Sequence, residues 1–155
     1  MIKLIILDVD GVLTDGLITY DSEGREYKSF NVKDGYGIVR ARRMGIEIAV
    51  VTGRFSSMVE KRCSELGIRE VYQGVENKLR IYNYLKEKYD LKDSEIAVMG
   101  DDIPDIELLK KAGFSGAPSD AVEEVKKVVN FVSSKPGGHG AVREFIDLIL
   151  SEKVE

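Results

Sequence analysis

The chain has 155 residues, enough for one domain with a substantial core. Its 23 basic and 27 acidic side chains leave a net charge of −4, with no basic block suited to nucleic acid. A lone cysteine, Cys63, excludes an internal disulfide and a cysteine metal cluster, and its place among helical apolar positions makes it a small core residue. No run approaches the ~20 apolar residues of a membrane-spanning helix. The N-terminus lacks a signal peptide's small-residue cleavage site, so the expected location is cytoplasmic and no membrane partner is expected.

The first apolar run, residues 2–7, reads as a strand and ends in Asp8-Val9-Asp10-Gly11. Carboxylates are disfavoured inside strands and almost never buried without a partner, so a pair at a strand end points to a site. Taken alone, the same residues also fit a polar strand end entering a turn. Residues 17–20 and 26–30 flank Asp21-Ser22-Glu23-Gly24 and read as a β-hairpin projecting from the same end of the sheet as the two aspartates. Further apolar runs lie at 46–51, 71–72, 96–99, 114–117 and 130–132, with few polar interruptions, as in parallel strands covered on both faces.

Helical spacing separates these runs. Val59, Cys63 and Leu66 share one face; so do Ile81, Leu85 and Tyr89, and later Val142, Phe145, Ile146 and Ile149. Gly45, Gly67 and Gly113 fall where helices end, and Pro104 falls where a first helical turn begins. The expected fold is a single α/β domain over residues 1–155, a Rossmann-like three-layer sandwich. It has a mostly parallel sheet, a projecting hairpin and no room for a cap domain.

Four polar clusters follow predicted strands: Asp8 and Asp10; Thr52-Gly53-Arg54; Lys78 at a helix start; and Gly100-Asp101-Asp102-Ile103-Pro104-Asp105. In open α/β sheets, ligands bind beyond the carboxyl ends of the strands, where these clusters lie. Several carboxylates in one crevice repel unless a cation joins them, and all-oxygen donors favour Mg²⁺. Thr52 offers a hydroxyl, Gly53 an unobstructed backbone N–H and Lys78 an ammonium, all suited to phosphate oxygens. Each also has a plainer reading: Thr52 as a helix N-cap, Lys78 as a solvated helix residue, Asp102 and Asp105 as caps of the helix opening near Pro104. For Asp105 the cap is preferred.

In that order the clusters resemble the four motifs of the haloacid dehalogenase superfamily of phosphotransferases. The resemblance implies that Asp8 attacks phosphorus and that Asp10 serves as acid and then base. It implies that Thr52 and Lys78 hold the phosphoryl group, and that Asp8, the Asp10 carbonyl and Asp101 bind Mg²⁺, with Asp102 or Asp105 in support.

A finer similarity runs through Asp8–Gly16, through Phe-Asn-Val-Lys-Asp-Gly-Tyr-Gly at 30–37 and through Thr-Gly-Arg at 52–54. It continues with Tyr-Gln-Gly at 72–74 and Lys-Pro-Gly-Gly-His-Gly-Ala-Val-Arg-Glu at 135–144. This set resembles the 3-deoxy-D-manno-octulosonate 8-phosphate phosphatases. That family implies a small-molecule sugar-phosphate substrate in lipopolysaccharide precursor synthesis, Arg54 on the sugar carboxylate, and a homotetramer whose subunits close one another's sites. His139 reads as a solvent-facing loop residue, Gly137-Gly138-His139-Gly140 as a flap or a connector, and Arg143 as a surface or intersubunit contact. Two other classes compete: a receiver-type phospho-switch, which Asp10 argues against, and a non-catalytic oligomerisation module. A phosphatase of nine-carbon sialic-type sugar phosphates is the alternative enzyme.

Overall fold

The structure, a computed structural model, describes residues 1–154. In chain order its strands are β1 (Leu4–Leu7), β2 (Thr19–Tyr20), β3 (Glu26–Tyr27), β4 (Glu47–Val51), β5 (Glu70–Tyr72), β6 (Ile96–Met99), β7 (Phe114–Ala117) and β8 (Phe131–Val132). Its helices are α1 (Val32–Arg43), α2 (Ser57–Glu65), α3 (Lys78–Lys88), α4 (Ile106–Lys111), α5 (Glu123–Lys126) and α6 (Ala141–Val154).

Six strands form one sheet in the order β5-β4-β1-β6-β7-β8, and every pairing in it is parallel. The pleat sends alternate side chains to opposite faces. Ile5, Leu7, Ile48, Val50, Ala97 and Met99 pack with Ile38 of α1, Val59 and Cys63 of α2 and Phe145 of α6. Leu4, Ile6, Ala49, Val51, Ile96 and Val98 face the other way, onto Tyr82 and Leu85 of α3, Leu109 of α4 and Val125 of α5. Covering on both faces explains why these strands are apolar throughout, and it gives the three layers expected from the sequence. Burial pushes the Cys63 thiol up to about 11, as befits an inert core residue.

The chain leaves β1 toward β4 and β5, then returns to the other flank of β1 through β6. This reversal places the switch point of the sheet at the carboxyl ends of β1, β4 and β6. Register sharpens it: Leu7 pairs with both Val50 and Met99, so Asp8 is the first residue to emerge.

The hairpin is shorter than expected, with two ladder pairs, Thr19 with Tyr27 and Tyr20 with Glu26. Asp21 closes its turn by accepting the Glu23 and Arg25 N–H groups at 2.9 Å and the Arg25 Nε at 2.6 Å. The ladder stops at Tyr27, and the Lys28 ammonium that follows reaches Asp10.

Candidate active site

Asp8 leaves β1 with its N–H on the Met99 carbonyl at 3.3 Å, and its Oδ1 accepts the Val9 N–H at 2.7 Å. The next residues form a tight turn closed by Thr14 N–H on the Val9 carbonyl at 3.0 Å. Gly11 takes φ +86°, and a Cβ there would stand 1.8 Å from Asp101 Oδ2. Only glycine lets the loop after β1 approach the loop after β6 this closely.

Lys78 opens α3, whose N-cap Asn77 accepts the Arg80 N–H. Its ammonium reaches Asp105 Oδ1 at 2.7 Å and Asp8 Oδ2 at 3.2 Å, and the residue is only 8% exposed. The plainer reading of a solvated helix lysine is therefore overturned. Asp8, Asp101 and Asp105 each present a carboxylate oxygen within 4.8 Å of the others. Burial first, then the charge of Asp105, pushes the Asp8 carboxyl well above the usual carboxylate range, against the pull of Lys78. Burial, then Asp105 and Asp102, lifts Asp101 to about 7. Burial also works against the Lys78 ammonium, but Asp8 and Asp105 outweigh it and raise its pKa. Three carboxylates facing one ammonium leave a cluster short of positive charge and lined with hard oxygen donors. This donor set fits a Mg²⁺ ion.

Thr52 follows β4 and is buried, with its backbone tied to Tyr72 and Val75. Ser56, not Thr52, caps α2, so the capping alternative for Thr52 fails. Gly53 and Arg54 come next on the rim. Asp8, Asp10, Thr52, Gly53, Arg54, Lys78 and Asp101 line one crevice of about 440 Å³. All the residues singled out in the sequence for nucleophilic, phosphate-binding, metal and substrate roles are thus brought together.

Asp105 requires a correction. Its carboxylate does close a capping box, accepting the Asp101 and Asp102 N–H groups at 3.0 and 3.3 Å, but it also pairs with Lys78 and faces the cluster. Asp102 caps the turn at Ile103–Asp105, with Oδ1 accepting the Ile103 N–H. His139 is exposed. Gly137 and Gly138 are docked against the turn after Asp8: the Gly138 N–H binds the Val12 carbonyl, and a Cβ on Gly137 would stand 1.9 Å from the Gly11 carbonyl oxygen. The segment is packed closely against the nucleophile loop, as a connector would be. Arg143 pairs with Asp147 at 3.0 Å and lies over the Tyr36 ring.

Two site residues escaped the sequence reading. Lys28 places its ammonium 2.7 Å from Asp10 Oδ1 and 3.3 Å from Glu26 Oε1, and Glu26 also accepts from Arg54 at 3.0 Å. The available signal was the i, i+2 spacing of Glu26 and Lys28, which puts both on one face of a strand.

The fold and this crevice define a hydrolase of the haloacid dehalogenase-like family, to which the chain belongs; the family model matches residues 64–146. Among its relatives is the 3-deoxy-D-manno-octulosonate 8-phosphate phosphatase KdsC of Escherichia coli, 47% identical over 149 residues, covering 96% of this chain and 79% of the relative. The crystal structure of the corresponding phosphatase from Moraxella catarrhalis, in complex with magnesium, phosphate and KDO, is 43% identical. It superposes with a TM-score of 0.94 over 97% of this chain and 86% of that one. The cobalt-bound phosphatase of Haemophilus influenzae is 40% identical, with a TM-score of 0.92 over 97% and 88% of the two chains.

Proposed function

We propose that this chain hydrolyses 3-deoxy-D-manno-octulosonate 8-phosphate to the free sugar acid and phosphate, through an aspartyl phosphate on Asp8. The observation that carries the reading is the meeting of Asp8 Oδ2 with the buried Lys78 ammonium at 3.2 Å, where the central strand ends. Asp10 stands two residues further along the same crevice. The Asp8 carboxylate attacks phosphorus and the bond from phosphorus to the sugar oxygen breaks. Asp10 gives that oxygen its proton. Asp10, now a base, then takes a proton from water as the water attacks the acyl phosphate, which frees phosphate and restores Asp8. Lys78, the Thr52 hydroxyl and the Gly53 N–H hold the phosphoryl oxygens as charge moves among them.

Asp8, the Asp10 carbonyl and Asp101 would hold Mg²⁺, with Asp105 behind them. When bound, Mg²⁺ supplies the positive charge that lets a carboxylate approach an anionic phosphate.

The sugar carboxylate falls to Arg54, whose guanidinium is 45% exposed on the rim and geometrically suited to a bidentate pair. The crevice is open to solvent, and Leu17, Tyr20 and Tyr27 of the hairpin region are exposed. These features support a homotetramer in which neighbours close the sites. The reading also places the reaction in lipopolysaccharide precursor synthesis, in the cytoplasm, in keeping with an unpaired buried Cys63.

The test is phosphate release with Mg²⁺ from a panel of this sugar phosphate, a nine-carbon sialic-type 9-phosphate and common hexose phosphates, with sedimentation velocity on the same sample. The expected result is a clear preference for the eight-carbon acid, lost in Asp8→Asn and in EDTA, from a four-chain species. Uniform weak release across the panel would discard the substrate. Release that survives Asp8→Asn would discard the mechanism.

A further inference from the structure

Lys28 is a buried cation held against Asp10 at the edge of the crevice, and nothing in the reaction above uses it. Its side chain is 1% exposed, and an ammonium so buried is held only by anionic partners. It has two: Asp10 Oδ1 at 2.7 Å and Glu26 Oε1 at 3.3 Å. Glu26 Oε1 in turn accepts from Arg54 Nη2 at 3.0 Å, and Arg54 Nε stands 3.8 Å from Asp10 Oδ2. The two oxygens of Asp10 therefore meet different cations, one delivered by the hairpin and one by the loop after β4.

Exposure separates the two roles. Arg54 is nearly half exposed and within reach of a substrate, whereas Lys28 is sealed beneath the hairpin and meets only protein. A carboxylate that must donate a proton to a sugar oxygen and later take one from water has to point along one line throughout. Misplacement of about 1 Å at such a group costs on the order of 100-fold in rate.

We propose that Lys28 is a positioning residue: it clamps Asp10 Oδ1 and leaves Oδ2 as the oxygen that gives and takes the proton. The hairpin is then part of the catalytic machinery as well as a surface for neighbouring subunits. Glu26 ties this clamp to Arg54, so the groups that read the substrate and the group that moves the proton share one ionic chain. The inference rests on the roles of Asp8 and Asp10 set out above.

The experiment uses p-nitrophenyl phosphate, whose leaving group departs without a proton, so any fault in Asp10 falls on hydrolysis of the acyl phosphate. Lys28→Met is expected to lower kcat by about tenfold or more and KM in proportion, leaving kcat/KM within about threefold. On rapid mixing it should give a burst of p-nitrophenolate approaching the active-site concentration. Lys28→Arg, which keeps the charge, is expected to recover part of kcat and lose the burst. A merely structural lysine would cut activity without a burst, and that result overturns the proposal. So does unchanged kcat, and so does a tenfold rise in KM at constant kcat, which would make Lys28 a substrate contact. If Lys28→Met lacks a melting transition, Lys28→Gln places a shorter, neutral amide in the same slot, and absence of the burst there is equally decisive. Asp8→Asn runs alongside: turnover that survives it refutes the reading of the site, whereas its loss beside an unaffected Lys28→Met refutes only the role of Lys28.

Discussion

The nucleophile loop depends on one residue with no side chain. Gly11 combines a left-handed backbone with a position where a methyl would overlap Asp101 Oδ2 at 1.8 Å. Gly11→Ala is therefore expected to push Asp101 out of the cluster, lowering kcat about 100-fold or more. It is also expected to cost about 1–2 kcal/mol in urea unfolding from the backbone strain. A variant that keeps wild-type kcat would show that the two loops can separate without consequence. Gly53 is the contrast, since the nearest atom to a Cβ there is 3.6 Å away, and Gly53→Ala is expected to keep the fold intact. At this scale the sequence was informative wherever chemistry and place coincided. Asp8, Asp10, Thr52, Lys78 and Asp101 each sit at the carboxyl end of a strand or the start of a helix beside one. Asp105 was half legible, because a carboxylate near a helix start already has a sufficient local explanation, and nothing local reveals the Lys78 ammonium 2.7 Å away. Lys28 was not legible. Its partner is 18 residues distant, and only the docking of the hairpin brings them together.

Between elements, legibility followed the same logic. The central strands were read from continuous apolar runs because both faces are covered, while the hairpin, which has no apolar face on the core, was read too long. How α6 is capped could not be read at all. Gly140, just before it, has no side chain with which to cap. Asp34 of α1 does so across the interface, with Oδ1 accepting the Arg143 N–H at 2.9 Å. Burial raises the Asp34 pKa, against the Arg143 and Gly140 N–H groups and the nearby charges of His139 and Arg143. The folded state therefore holds the Asp34 proton to higher pH than the unfolded chain does. Its contribution to stability falls as pH rises from the ordinary carboxylate range to the raised value, and is level above it. Asp34→Asn keeps the acceptor and removes the ionisation, so it should gain on the wild type as pH rises through that window. Asp34→Ala should lose the cap, at about 1–2 kcal/mol. Urea midpoints between pH 4 and 7 test both; parallel wild-type and Asn curves would dismiss the ionisation.

At the scale of the whole molecule, the fold concentrates unfavourable charge where its strands converge. Asp8, Asp101 and Asp105 are drawn within 4.8 Å of one another by parallel register and by the Gly11 contact, and the single ammonium of Lys78 answers only part of their charge. Such an arrangement lowers the stability of the metal-free protein in exchange for a site poised to take a cation. Mg²⁺ that binds the folded chain alone adds about 2.7 kcal/mol at a hundredfold excess over its Kd. For a domain of this size each kcal/mol moves Tm by about 2–4 °C, so saturating Mg²⁺ should raise Tm by about 5–10 °C, reversibly with EDTA. Asp101→Asn removes one of the repelling charges. It should therefore melt higher than the metal-free wild type, yet respond far less to Mg²⁺. The substitution must raise the metal-free Tm and shrink the Mg²⁺ response together. A wild-type Tm indifferent to Mg²⁺ would dispose of the cation site, and an Asp101→Asn protein that melts lower without metal would show that Asp101 stabilises the fold by contacts that outweigh its repulsion.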